Sequence, residues 1–379
     1  MDSCCELLHQ TAMRVSVYGA GPAGLMAAEV LASAGCRVTL HDKLAAPARK
    51  FLLAGRGGLN LTHSEPLETL LTRYDSPRIA DAVRAFPPSA LIEWCHGLGI
   101  ETFTGSSGRV FPKPMKASPL LRAWLRRLGS LGVTLQARSP WQGFDDRPAI
   151  LAFGGASWPH LGSDAAWVPA FTAAGILVAP FKPANGRFLV PWTDHMHKHA
   201  GQPIKNIALN YRGTQARGEL MLSRDGIEGG AVYALSRLLR DAPCEALHID
   251  LRLDLSEEAV AAKLAARRKK DSLSNFLRKA FNLSPAAIAL MMETRATNPK
   301  HVALTIGAPA GLARAISSAG GVAWSEIGED FQLLKQPGVF VAGEMLDWEA
   351  PTGGYLLQAC FATGVAAARG LLAHLKHAP

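Results

Sequence analysis

The sequence has few of the features that mark secreted, membrane-spanning or metal-binding proteins. Its six cysteines form no C-x-x-C pair and no cluster with metal-ligand spacing, so reduced thiols are expected. The first twelve residues contain no basic segment and no long apolar run, which argues against a secretory signal peptide. No stretch reaches the uninterrupted apolar length of a membrane span. These absences predict a cytoplasmic protein without a membrane partner.

A metal site is not predicted either. His195, His197 and His199 alternate in the segment DHMHKHAG, but no carboxylate or cysteine completes a ligand set at a recognisable spacing. This segment is expected to be an exposed turn.

Chain length limits the number of domains, and net charge indicates the kind of partner. The 379 residues exceed what one compact core holds, so two or three domains are expected. Lys and Arg outnumber Asp and Glu by 40 to 31, a net charge of +9. This moderate excess favours a polyanionic partner such as RNA, although solubility alone also explains it.

The chain is organised around residues 13–42, where a glycine-rich turn and an amphipathic helix separate two short apolar strands. The turn has the pattern G-x-G-x-x-G and consists of Gly19, Ala20, Gly21, Pro22, Ala23 and Gly24. Gly19 permits a tight turn, Gly21 lets a pyrophosphate approach the backbone, and Gly24 lets helix and strand pack closely. Asp42 ends the second strand, where its carboxylate can accept hydrogen bonds from a ribose. This full context predicts a dinucleotide site.

Three later segments have compositions that suit a ligand site. Residues 49–64 (RKFLLAGRGGLNLTHS) are poor helix or strand material and predict a loop that wraps phosphates and a ribityl chain; a plain surface loop is the alternative. Gly154 follows another apolar strand. Near the C-terminus, Glu344 or Asp347 could bind ribityl hydroxyls, and the N–H groups near Gly354 and Leu356 could stabilise negative charge on a flavin.

With these motifs, the chain resembles the BaiN/YhiN-type (HI-0933-like) flavoproteins over nearly its whole length. The matching segments are GAGPAGLMAAEVLA, RKFLLAGRGGLNLT, GGASWPHLGS, TIGAPAGLARAISSAGGV and GVFVAGEMLDWEAPTGGYLLQACFATG. The resemblance implies an α/β fold: a discontinuous FAD-binding Rossmann-like domain of the two-dinucleotide-binding type, with an inserted β-barrel-like domain and a helical subdomain. The implied boundaries are 1–185 and 335–379 for the FAD domain, 186–253 and 300–334 for the β-rich domain, and 254–299 for the helical insertion.

The resemblance also implies a set of FAD contacts. Besides residues 19–24 and Asp42, the expected contacts are Lys43, Arg49, Lys50, Gly57, Gly58, Asn60, Thr62, Gly154, Gly343, Glu344, Asp347, Gly353, Gly354, Tyr355 and Leu356. Phe153 and Leu356 depart from the residues common in the family, Thr and Asn. A backbone contact survives either change, whereas a side-chain contact does not.

Activities linked with the family imply reduction of an activated C=C bond by hydride transfer from flavin N5, followed by protonation. The substrate is either a uracil base of large-subunit ribosomal RNA, which gives dihydrouridine, or a small enone such as a 3-oxo steroid of the bile-acid type. The basic charge favours RNA. The candidate proton donors are His63, His160, Cys360 and Cys95. No second G-x-G-x-x-G unit is visible, so NAD(P)H is expected to bind transiently as the reductant.

Two other classes remain open at this point: a non-catalytic, flavin-carrying RNA-binding protein, and an oxidase or monooxygenase. The basic run at residues 267–270 is either a solvated helix face or a footprint for RNA. The sequence leaves the oligomeric state undetermined.

Overall fold

The computed structural model describes residues 13–55, 57–242 and 246–377. The first twelve residues, for which no signal peptide was predicted, lie outside the described residues, and so does Cys244.

The described residues form sixteen strands, fourteen α-helices and three short 3-10 helices. The strands are β1 (Arg14–Tyr18), β2 (Arg37–Asp42), β3 (Thr62–His63), β4 (Thr102–Thr104), β5 (Arg109–Pro112), β6 (Thr134–Ala137), β7 (Ala149–Leu151), β8 (Val178–Ala184), β9 (Phe188–Leu189), β10 (Pro203–Tyr211), β11 (Thr214–Ser223), β12 (Gly226–Glu228), β13 (Leu247–Asp250), β14 (Val302–Leu304), β15 (Ser317–Val322) and β16 (Val339–Val341). The α-helices are α1 (Pro22–Ser33), α2 (Arg49–Ala54), α3 (Leu67–Leu71), α4 (Pro77–Ala85), α5 (Pro88–Gly97), α6 (Ala117–Ser130), α7 (Val168–Ala173), α8 (Asp194–His197), α9 (Gly230–Ala234), α10 (Ser236–Asp241), α11 (Glu257–Ala265), α12 (Leu273–Phe281), α13 (Pro285–Glu293) and α14 (Tyr355–His377). The 3-10 helices are Pro159–Leu161, Trp324–Glu326 and Gly343–Met345.

The chain divides into two compact units, and the first comprises residues 1–182 and 317–379. Its centre is a five-stranded parallel sheet in the order β16-β7-β1-β2-β6. Val15 and Val17 of β1 are buried, as expected for a parallel strand that is covered on both faces. Helix α1 connects β1 to β2 as a parallel crossover, so this unit is a Rossmann-type domain.

The 23-residue helix α14 is long and apolar enough to span a membrane by those two criteria alone, contrary to the expectation that no stretch reaches that length. Most of this helix is instead buried in the core of the first unit. Its Gly364 explains the close packing against α1, because a Cβ at that position would lie 2.4 Å from the carbonyl oxygen of Ala23. Helix α14 is therefore a core helix of this domain.

The second unit, residues 183–316, contains a six-stranded antiparallel sheet in the order β14-β13-β10-β11-β12-β9. The segment directly after β14 hydrogen-bonds to β9: Gly307 N–H donates to the Leu189 carbonyl at 2.7 Å, and Leu189 N–H donates to Ala308 at 3.0 Å. The sheet therefore curls until its two edges meet. Helices α11, α12 and α13 follow one another within residues 254–299, the segment predicted to be helical.

The boundary between the units differs from the predicted one. Residues 317–334 were expected in the β-rich domain, but they belong to the first unit. Strand β15 pairs with β8, and Phe331 and Leu333 lie in the same hydrophobic core as Phe340 of β16. These long-range contacts leave no local sequence signal. The division into three domains stays a prediction.

Candidate functional site

The glycine turn after β1 has the backbone geometry that an anion site requires. Gly19 has φ +97°, and a Cβ there would lie 2.3 Å from the Ala152 carbonyl oxygen, so only glycine fits without rearrangement. Helix α1 begins directly after Gly21, with no side-chain cap and no acidic residue in its first turn. Its free N–H groups and the positive end of its dipole can therefore receive a phosphate.

Asp42 is tied to this turn. Its carboxylate accepts hydrogen bonds from the Ala20 N–H at 3.1 Å and the Leu44 N–H at 2.8 Å. Burial raises the pKa of Asp42, against the opposing effects of these two donors and of Lys43. The carboxylate oxygens keep further acceptor capacity, which suits the hydroxyls of a ribose.

A cavity of about 250 Å³ begins at these groups. It is lined by the glycine turn, by Asp42 after β2 and by Glu344 after β16, which lie on either side of β1 in the sheet order. Ser139, Trp141, Lys50 and Cys360 also line it. Ser163 also lines the cavity, and its buried Oγ has no hydrogen-bond partner among the described residues. An orphaned hydroxyl, a free helix N-terminus and a carboxylate in one groove fit an extended dinucleotide such as FAD.

At the Asp42 end, side chains from two strands and a loop form the wall. The His41 Nδ1 lies 2.9 Å from the Ser139 Oγ, and its ring stacks on Tyr18 with centroids 4.5 Å apart. Lys43 forms an ion pair with Asp164 at 2.6 Å. This end can enclose an adenosine.

At the opposite end, five residues from four chain segments form a closed set of hydrogen bonds, which we call the Lys50 ring. Lys50 Nζ lies 2.6 Å from the Glu344 Oε2 and 2.6 Å from the Ser157 Oγ. The Glu344 Oε1 accepts from the Ser318 N–H at 3.0 Å, and the Ser318 Oγ accepts from the Ala156 N–H at 3.0 Å. Sequence reasoning missed Ser157 and Ser318, because Ser157 bonds to Lys50 across 107 positions of the chain and Ser318 bonds to Ala156 across 162.

The structure brings about half of the predicted FAD contacts into this cavity. Those that line it are Gly19, Ala20, Gly21, Pro22, Ala23, Asp42, Lys43, Arg49, Lys50, Gly154, Gly343 and Glu344. Those that do not line it are Gly24, Gly57, Gly58, Asn60, Thr62, Asp347, Gly353, Gly354, Tyr355 and Leu356. Asp347 accepts a hydrogen bond from the Gly320 backbone of β15, and burial raises its pKa.

A second group of the predicted residues meets beside the start of α14. Gly354 has φ +94°, and a Cβ there would lie 2.6 Å from the backbone of Thr62. The buried oxygens Oγ1 of Thr62 and Oδ1 of Asn60 have no hydrogen-bond partner within the described part of the chain. The Tyr355 hydroxyl donates to Glu65 at 2.6 Å, and Arg73 pairs with the same carboxylate at 2.7 Å. The segment around Thr62 and the segment around Gly354 therefore pack directly against each other. The unpartnered oxygens of Asn60 and Thr62 are left available to a ligand.

The four candidate proton donors lie in different surroundings. The His63 Nδ1 accepts from the Glu65 N–H at 3.1 Å, which leaves its Nε2–H to donate to the Ser107 carbonyl at 3.0 Å. His160 is exposed and does not line the cavity. Cys95 is buried in the core, and burial raises the pKa of its thiol to about 12. Cys360 is the candidate that lines the cavity.

We expect Cys360 to resist alkylation. Burial, and then the Glu344 carboxylate, raise the pKa of its thiol to about 12. At pH 8 the thiolate fraction is then about one in 10⁴, against about a quarter for an ordinary cysteine. Iodoacetamide labelling followed by peptide mass mapping should show Cys360 reacting about 10³-fold more slowly in native protein than in urea. Equal rates in the two conditions would contradict the raised pKa of this thiol.

Comparison with known proteins agrees with this geometry. The family model described as HI0933-like protein Rossmann domain matches residues 13–370. The chain is 28% identical to 3-dehydro-bile acid delta(4,6)-reductase of Clostridium scindens, over 94% of this chain and 98% of the relative. It is 23% identical to ribosomal RNA dihydrouridine synthase of Escherichia coli, over 94% of this chain and 97% of the relative.

A solved structure shows the same fold. The 3-ketosteroid-delta4-(5alpha)-dehydrogenase of Rhodococcus jostii superimposes with a TM-score of 0.51 at 15% identity, covering 98% of this chain and 99% of that one. The family match spans the glycine turn, the cavity and most of α14. The chain therefore belongs to the HI0933-like family and is an FAD-dependent oxidoreductase of that family.

Proposed function

We propose that this protein reduces a carbon–carbon double bond conjugated to a carbonyl group. The observation that carries the proposal is the full-length similarity to two relatives whose names describe this chemistry. A delta(4,6)-reductase saturates double bonds of a 3-oxo steroid, and a dihydrouridine synthase saturates a double bond of uracil. One site chemistry serves both substrates.

The residues of the cavity have separate tasks in this proposal. FAD held in this cavity would supply the hydride chemistry that reduces the double bond. The N-terminus of α1 holds the pyrophosphate, and Asp42 holds the adenosine ribose. The Cys360 Sγ holds a proton at the cavity wall, where it can be passed toward the α-carbon. NAD(P)H is the proposed reductant, binding transiently.

The distribution of charge favours RNA as the substrate. Residues 183–316 contain 19 Lys and Arg against 12 Asp and Glu, whereas the rest of the chain contains 21 against 19. Seven of the nine excess charges therefore lie in the second unit. Its exposed run at residues 267–270 directly follows α11, and Lys269 and Lys270 have no ion pair within the described residues. A concentrated basic surface is what binding to a phosphate backbone requires.

A small enone is the second candidate. It is favoured by the higher identity, 28%, to the bile-acid reductase.

The test uses FAD-loaded protein without oxygen. We would reduce the flavin with NADPH or NADH and then add either protein-free large-subunit ribosomal RNA or a 3-oxo-4,6-diene steroid. Loss of the reduced flavin spectrum with RNA, together with new dihydrouridine, is the expected result. Reoxidation by the steroid alone would select the second candidate. A reduced flavin that neither substrate reoxidises would contradict the proposed function.

Reversing two charges of the basic run should weaken RNA binding. For Lys269→Glu/Lys270→Glu we expect the Kd for ribosomal RNA to rise about tenfold, because two phosphate contacts are lost. Each lost contact should also lower the slope of log K against log salt by about 0.7 to 0.9. The matched control is Arg122→Glu/Arg126→Glu, on the exposed face of α6 in the other unit. Fluorescence anisotropy over a range of salt concentrations gives both slopes. Equal losses in the two double variants would contradict a docking surface at residues 267–270.

A further inference from the structure

We propose that Lys50 and Glu344 form a matched charge pair whose opposite effects on the reduction potential of the bound FAD nearly cancel. The proposal rests on FAD as the cofactor and is independent of the substrate.

The position of the Lys50 ring indicates which part of the cofactor it meets. In the sheet order β16-β7-β1-β2-β6, the glycine turn follows β1 and Asp42 ends β2, on one side of it. Glu344 follows β16, on the other side. A dinucleotide with its adenosine ribose at Asp42 and its pyrophosphate at α1 therefore extends its second half toward Lys50 and Glu344.

The ring is built to keep the two charges in place. The Lys50 and Glu344 side chains are only 26% and 14% exposed, and Ser157 and Ser318 are buried. Gly155 makes room for this arrangement, because a Cβ there would lie 2.1 Å from the Ser318 Oγ and 3.2 Å from the Glu344 side chain. Charges held this way are screened less by water than surface charges are.

Lys50 and Glu344 have opposite effects on the flavin, because the flavin gains negative charge when it is reduced. The Lys50 ammonium makes reduction easier, the Glu344 carboxylate makes it harder, and together they nearly cancel. Removing one charge exposes the effect of the other. The sign of the change is therefore fixed by which residue is replaced.

The experiment measures the flavin potential of four proteins by equilibrium reduction against reference dyes, without substrate. We expect Glu344→Gln to raise the potential and Lys50→Met to lower it, each by about 30 mV or more, which is a tenfold change in a two-electron equilibrium. The double variant Lys50→Met/Glu344→Gln should return close to the unmodified protein. Shifts of the same sign, or no shift, would overturn the proposal.

Two further variants separate an electrostatic role from a merely structural one. Ser318→Ala removes one hydrogen bond of the ring without changing charge, so it should leave the potential unchanged even where FAD dissociates faster. Lys50→Arg keeps the charge and should keep the potential. A Ser318→Ala shift as large as that of Glu344→Gln would contradict the proposal. If Glu344→Gln does not retain FAD, the Lys50→Met measurement alone decides the test, since only a lowered flavin potential in that variant agrees with the proposal. The potential is measured without substrate, so an error in the proposed function leaves this test intact.

Discussion

Replacing Gly24 with alanine is expected to abolish FAD binding and to destabilise the first unit. A Cβ at Gly24 would lie 1.9 Å from the carbonyl oxygen of Gly19 and 3.3 Å from the Ala152 side chain. The N-terminus of α1 would have to move away from the turn, at a cost of about 3 kcal/mol. Thermal unfolding and the yellow colour of the purified protein measure the two effects.

Two other glycines serve as controls for this variant. At Gly21 no atom of the described residues beyond its chain neighbours lies within 4 Å of an added Cβ. Gly21→Ala should therefore keep the stability of the fold but lower FAD affinity about 100-fold, because the methyl group occupies the approach of the pyrophosphate. Gly129, in α6, also faces open space, and Gly129→Ala should change neither FAD binding nor folding adversely. Undiminished FAD affinity in Gly21→Ala would contradict a pyrophosphate at this turn.

Replacing Asp42 with alanine is expected to have the next largest effect. The backbone N–H groups of Ala20 and Leu44 would both lose their acceptor, at a cost of about 2 kcal/mol in stability. FAD affinity should fall about 100-fold, because the ribose loses its charged acceptor. Isothermal titration of the apoprotein with FAD, beside urea unfolding, gives both numbers.

The pH dependence of FAD affinity provides a second readout for Asp42. Burial raises the pKa of this carboxyl above its ordinary value of 3.8, so its ionised form is lost on acidification before that of an exposed aspartate. FAD affinity should therefore weaken as the pH falls toward the raised pKa, and Asp42→Asn should lack this dependence.

The matched control for the stability measurement is Asp145→Asn, because Asp145 forms a surface pair with Arg147. Its expected stability change is about 0.5 kcal/mol or less. An unchanged FAD affinity in Asp42→Ala would contradict the ribose contact.

The first half of the cofactor site could be predicted from sequence because its determinants are local. Residues 14–42 contain the strand, turn, helix and acid within one βαβ unit, and the structure gives the predicted steric reasons for Gly19 and Gly24. The spacing of such a unit is fixed by its own backbone geometry.

The other half depends on contacts that no local pattern contains. Lys50 meets Glu344 across 294 positions of the chain. Strand β15 has the sequence SSAGGV, which has weak strand propensity, yet all six residues are buried beside the Glu344 segment. Tertiary packing determines this strand, which is why the predicted domain boundary fell at 335 and Ser318 was missed.

The most direct test of the central claim is a single turnover followed by mass analysis of the substrate. FAD-loaded protein is reduced by one equivalent of NADPH without oxygen and mixed with substrate in excess, and the product is then counted against the flavin that is reoxidised. Reduction of a C=C bond predicts one product molecule, heavier by two hydrogens, for each flavin reoxidised. Flavin that is reoxidised only when oxygen is admitted, with peroxide formed and substrate mass unchanged, would contradict it.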